Sequence, residues 1–159
     1  MPARFPVPIQ EDIRDLLVDL LGRGAAVDKV TSPRLEEPAL VAEFVTDDGE
    51  VGCLCVVDAE FTLRCGAALA MVPTSVVDEA MRRNELPENL VENVQEVANI
   101  LAQLLNSPRT PHLRLKDLHE LPTELPAAVS ALLDAPEFRR DFSIAIEGYG
   151  NGRMALLAS

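Results

Sequence analysis

Glu92, Glu96, Asn99 and Gln103 recur at intervals of four, three and four residues in ENVQEVANILAQLLN, residues 92–106. On a helix that advances about 100° per residue, positions 92, 96, 99, 103 and 106 fall within an arc of roughly 80°. Glu92, Glu96, Asn99, Gln103 and Asn106 would therefore form one polar line, and the segment contains no Lys or Arg to answer its carboxylates. Such a row of carboxylates and neutral amides with no cation of its own is the one stretch of this sequence specific enough to suggest a chemistry. The same pattern also suits an ordinary solvated face, with glutamates favoured by the positive end of the helix dipole.

Other chemistries have less to stand on. Cys53 and Cys55 lie two apart in an apolar run, where a strand would put both on one face, and Cys65 falls among small residues at helical spacing. All three read as buried thiols. A metal centre needs more convergent ligands than one Cys-x-Cys and two distant histidines, His112 and His119, provide, so no metal site is expected. With 26 acidic against 14 basic residues the formal charge is −12, which makes nucleic acid a poor partner. No apolar run nears the eighteen or so residues needed to span a bilayer, and MPARFPVPIQED has no signal-peptide core, so no membrane partner is expected and the cytoplasm is the expected compartment.

The elements that must position the polar line can be read in order. Across 159 residues a single domain, residues 1–159, is expected. Ile13, Leu16, Leu17, Leu20 and Leu21 predict an amphipathic helix over 9–22, stopped by Gly22. Three strand-like runs follow, around 25–31, 39–46 and 51–58, the last two joined through Asp47-Asp48-Gly49 as an antiparallel hairpin. Asp58 can cap a helix over 59–71, and a short one follows to about Asn84. The helix of interest is predicted over 87–106, with Pro87 in its first turn and Leu90, Val94, Val97, Ala98, Leu101, Leu104 and Leu105 on its apolar face. HLRLKDLHEL (112–121) predicts a strand, PAAVSALLDAPEF a short helix, and 142–158 two strands around a Gly-rich turn. Hairpins and grouped helices point to an α+β domain, long helices in a second layer on an antiparallel sheet of about six strands. LLVDLL (16–21) laid over ILAQLL (100–105) brings Asp12 and Asp15 opposite Glu96 and Asn99, the mark of an internal αβ duplication or of two amphipathic helices that merely look alike.

Glu96-x2-Asn99, followed after twenty-two residues by Pro122, resembles the signature of the CheC/CheX/FliY family of chemotaxis phosphatases, Asp or Ser, x3, Glu, x2, Asn, x22, Pro. FTLRCGAALAMVPTSVVDEAM (61–81) resembles the family's small-residue helix and short following helix, and QEVANILA (95–102) is close to its motif core. Two positions depart from the pattern: Glu92 stands in place of Asp or Ser, and Gln103 where a small residue is usual. Asp12 and Asp15 replace the Glu and Asn of a second site, so the resemblance is to single-site, CheX-like members.

The resemblance implies a phosphatase acting on the aspartyl phosphate of a CheY-type response-regulator receiver, in chemotaxis or related two-component signalling. Asn99 would hold the attacking water, Glu96 would pair with the receiver's Lys, and Glu92 and Gln103 would contribute to binding. Pro122 would be the motif proline. No cofactor of the chain's own is implied, because the receiver supplies Mg²⁺. An edge strand could pair two copies into the homodimer that CheX-like proteins form. The alternative is a catalytically silent CheC-like binding module that docks on a receiver or a flagellar switch protein.

Overall fold

The computed structural model describes residues 4–32 and 34–159. Among them, α1 (Gln10–Leu21), α2 (Ala59–Leu69), α3 (Thr74–Arg83), α4 (Glu88–Leu101) and α5 (Ala127–Asp134) accompany six strands. These are β1 (Ala25–Val30), β2 (Leu40–Val45), β3 (Val51–Val57), β4 (Arg114–Glu120), β5 (Phe138–Ile146) and β6 (Gly150–Ala158). They form one antiparallel sheet in the order β1-β5-β6-β3-β2-β4, the α+β architecture expected.

That order has an internal two-fold relation. Read inward from one edge it runs β1, β5, β6, and from the other β4, β2, β3, so exchanging β1 with β4, β2 with β5 and β3 with β6 leaves it unchanged. Each half contributes one long helix and the three strands that correspond. The helices keep the same register: buried Ile13, Leu17 and Leu21 stand opposite Val97, Leu101 and Leu105, which are buried as well. A chance resemblance between two amphipathic helices would not extend to the strand order, and the pairing of 16–21 with 100–105 thus marks a structural repeat.

The main core lies between one face of the sheet and α1, α2 and α4. It is built from Phe44, Phe61, Phe142, Leu17, Leu101 and their neighbours. Two glycines set how closely these layers approach. A Cβ on Gly152 of β6 would come within 2.5 Å of the Phe61 backbone, and one on Gly66 of α2 within 2.5 Å of the Leu90 carbonyl oxygen. Hydrogen at these two positions lets α2 sink onto the sheet and α4 onto α2. The opposite face carries a smaller apolar cluster in which Val129 and Leu132 of α5 cover Val41, Leu54, Val56, Ala155 and Leu157. The sheet is thus covered on both sides, with α5 on the face away from the long helices.

Local chemistry fixes the element ends. Gly22, at φ 66°, closes α1 by donating its N–H to Val18 O at 3.0 Å. Asp58 caps α2, its Oδ1 accepting from Phe61 N at 2.8 Å and from Arg153 N at 3.1 Å. Burial raises the Asp58 carboxyl above its ordinary value in spite of these two donors. Gly49, at φ 84°, completes the turn between β2 and β3. No helix among the described residues is long and apolar enough to cross a membrane.

Candidate functional site

α4 positions the polar line. Pro87 caps it in extended conformation, and Leu90, Val94, Val97, Ala98 and Leu101 are buried while Glu92, Glu96 and Asn99 are exposed. Its rotation is set from the buried side. Asn93 donates its amide to Gly66 O at 2.8 Å, a side-chain bond across the close crossing with α2 that the glycine permits. Locking both the approach and the rotation of α4 aims residues 92, 96 and 99 outward.

The line is shorter than the expected helix over 87–106. After Leu101 the chain tightens into a 3-10 turn, Ala102–Leu105, and Asn106 turns extended at φ −115°. Asn106 faces inward. Its amide donates to Ala102 O at 2.8 Å and Leu113 O at 2.9 Å, and its Oδ1 accepts from Leu113 N at 2.7 Å. It stitches the end of the helix to the segment leading into β4. Asn106 therefore belongs to the scaffold, because a side-chain amide can satisfy backbone groups that the ending helix leaves open.

Glu92, Glu96 and Asn99 make no side-chain hydrogen bond or ion pair with any of the described residues; the ion pairs of the helical surface lie elsewhere, as between Arg83 and Glu79 at 2.7 Å. The carboxylates of Glu92 and Glu96 thus stay unanswered among the described residues. Gln103, also exposed, lines a groove of about 460 Å³ with Asp12, Asp15, Leu16, Asp19, Leu20, Ile100 and Leu104, a set that includes neither Glu96 nor Asn99. Pro122, at a cis peptide after Leu121, lines a different groove with residues of α2 and α3 that include Leu63 and Met81. The structure thus keeps Glu92, Glu96 and Asn99 on one helix face, and Pro122 follows the end of β4.

The three thiols are buried and unbridged as expected, Cys53 and Cys55 on the same face of β3. Burial pushes Cys53 and Cys65 up to about 12 and Cys55 higher still, so none is a ready nucleophile. Among the described residues no three His, Cys, Asp or Glu side chains converge as a metal ion would need. One polar pair goes beyond what the sequence analysis singles out: buried Glu43 of β2 meets His119 of β4, Oε1 to Nε2, at 2.9 Å. A signal for it exists, since an acid inside the apolar run ALVAEFV needs a partner when that run becomes an interior strand.

No protein-family model matches the sequence, and a search of curated proteins gives no match. Solved structures do match. A chain of the FliM–SpeE complex from H. pylori is similar at TM-score 0.63 and 7% identity, over 94% of this chain and 80% of that one. A chain of the FliG–FliM complex from H. pylori is similar at TM-score 0.61 and 7% identity, over 94% and 85%. A chain of the CheX–CheY–BeF3–Mg²⁺ complex from Borrelia burgdorferi is similar at TM-score 0.55 and 10% identity, over 90% of each. The class is therefore defined by architecture: this is the CheX- and FliM-like fold. At such identities the likeness establishes the fold, which is the fold that the Glu96-x2-Asn99 motif implies.

Proposed function

We propose that the chain is a CheX-like phosphatase that hydrolyses the aspartyl phosphate of a CheY-type receiver. The observation that carries this reading is the exposed Glu96 and Asn99 on one face of α4, with no cation paired to them among the described residues, in a chain of this architecture. Hydrolysis of an aspartyl phosphate needs little covalent help from the protein; positioning and electrostatics carry it. Mg²⁺ belongs to the receiver, where it neutralises the phosphoryl oxygens. What the second protein adds is a water held in line.

Asn99 suits that task because its neutral amide accepts from the water and donates to its surroundings without bringing a charge toward the phosphoryl group. Glu96, one turn earlier, would pair with the receiver's Lys and seat the helix in the partner's site. Glu92 extends the same contact along the helix, and Gln103 beyond its end. The partner's cation answers the charge that the fold leaves open. A receiver partner would place the activity in the cytoplasm.

A second reading is docking without turnover. It is favoured by one observation: the FliM-complex chains, from structures that also hold SpeE or FliG, superpose at higher TM-scores than the CheX complex does. The pair at 96 and 99 favours the enzyme, since it is the pair that the family resemblance ties to phosphatase activity. The test is single-turnover dephosphorylation of phosphorylated receivers at saturating protein, run beside direct binding to a receiver carrying a stable phosphoryl mimic. Acceleration supports the phosphatase; binding with no acceleration of any receiver selects the docking module.

A further inference from the structure

The two-fold relation between the halves has a groove at its centre. Leu16, Asp19 and Leu20 of α1 correspond in register to Ile100, Gln103 and Leu104 at the C-terminal end of α4 and its 3-10 turn, and all six line the same space of about 460 Å³. Asp12 and Asp15 complete the wall on the α1 side. Leu16, Leu20, Ile100 and Leu104 form a floor that is only half-buried. Above it the walls hold three carboxylates and one amide, and no Lys or Arg.

We propose that this groove receives a cationic amphipathic helix of a protein partner, apolar side chains on the floor and Lys or Arg against the α1 wall. Charge complementarity selects the occupant. Asp12, Asp15 and Asp19 span two turns of α1, about 10 Å along its axis, which suits a row of cations on a second helix. Asp19 has no partner among the described residues, Asp12 spends one oxygen on Ile9 N at 3.1 Å, and Asp15 meets only the exposed Arg14 at 3.2 Å. A second copy of the chain would set acid against acid, and anionic headgroups would be repelled likewise. A small polyamine could meet the carboxylates but would leave the four branched apolar side chains uncovered. The groove shares Gln103 with the proposed receiver contact but includes neither Glu96 nor Asn99, so the inference does not depend on the chemistry of Asn99.

The probe is a fluorescent helix of Leu and Lys, four turns or about 14 residues long, with a scrambled peptide of equal composition that has no apolar face. Its affinity for the full chain is measured by anisotropy. Asp15→Lys/Asp19→Lys is expected to weaken binding by about tenfold or more, as is Gln103→Lys alone to a smaller degree. Asp47→Lys/Asp48→Lys, in the exposed turn after β2, makes the same change in net charge and is expected to leave affinity nearly unchanged. All the replaced side chains are exposed, and circular dichroism checks that each variant folds. The proposal is overturned if the turn variant weakens binding as much as the groove variant, if the scrambled peptide binds equally, if spermidine competes as well as the peptide, or if the peptide-free chain self-associates through the groove.

Discussion

Asn99 concentrates the proposed chemistry in a single neutral amide, and that makes it separable from Glu96. Asn99→Ala is expected to cut turnover by about 10²-fold or more while the helix still docks, by the usual cost of losing a water-positioning group. Asn99→Asp should do no better, because its carboxylate would face the phosphoryl group. A single-turnover assay showing full rate for Asn99→Ala would remove the proposed role. Glu96→Ala should instead weaken binding to the phosphoryl mimic, with added salt reproducing part of the loss. Both side chains are exposed, so neither change should lower stability by more than about half a kcal/mol. The exposure of the two residues is legible in the sequence because they break the apolar rhythm of their own helix. Asn106 continues the same rhythm and is misplaced for that reason: angular position on an ideal helix says nothing about where the helix stops, and the amide that reads as surface is spent on Ala102 and Leu113.

Among the elements, alternation and turn residues punctuate the strands strongly, so the sequence places them to within a few residues. Contact between elements is what it hides. Nothing in RCGAALA announces that Gly66 marks the crossing of α2 with α4, because a small residue in a helix has many uses. The structure makes that role testable. Gly66→Ala would press a methyl into the Leu90 carbonyl, and we expect a loss of about 2 kcal/mol in urea unfolding together with reduced turnover, as α4 is pushed outward. Asn93→Ala, which removes the bond to Gly66 O without adding bulk, should cost about 1 kcal/mol. If both variants lost stability and kept full phosphatase rate, the aim of the polar line would not depend on this crossing.

For the whole molecule, stability in acid rests in part on a charge pair on β5. Arg139 donates to Asp141 from Nε at 2.7 Å and from Nη2 at 3.0 Å, and Leu35 N donates to the same carboxylate at 3.0 Å. Burial alone would raise Asp141; the Arg139 guanidinium and the Leu35 amide outweigh it and hold the carboxyl below its ordinary value. A folded value below the unfolded one stabilises the protein above about pH 4, and the contribution fades as pH falls through the folded value. Asp141→Asn should therefore be less stable than the parent by about 2 kcal/mol at neutral pH, with the gap closing on acidification. A gap that stayed constant from neutral to strongly acidic pH would contradict a carboxyl held below its ordinary value.

The halves related by the sheet order differ in what they have kept. One helix carries a Glu and an Asn at 96 and 99; at the matching places the other has Asp12 and Asp15. Under the proposed function Asp15 would bring charge where a neutral amide is needed, so this helix is unsuited to holding water beside a phosphoryl group, while its acids are placed to attract cations. Writing Asp12→Glu and Asp15→Asn into an Asn99→Ala background should return part of the lost phosphate release from the opposite helix, and a background that stays silent would show that the two copies have diverged beyond their motif.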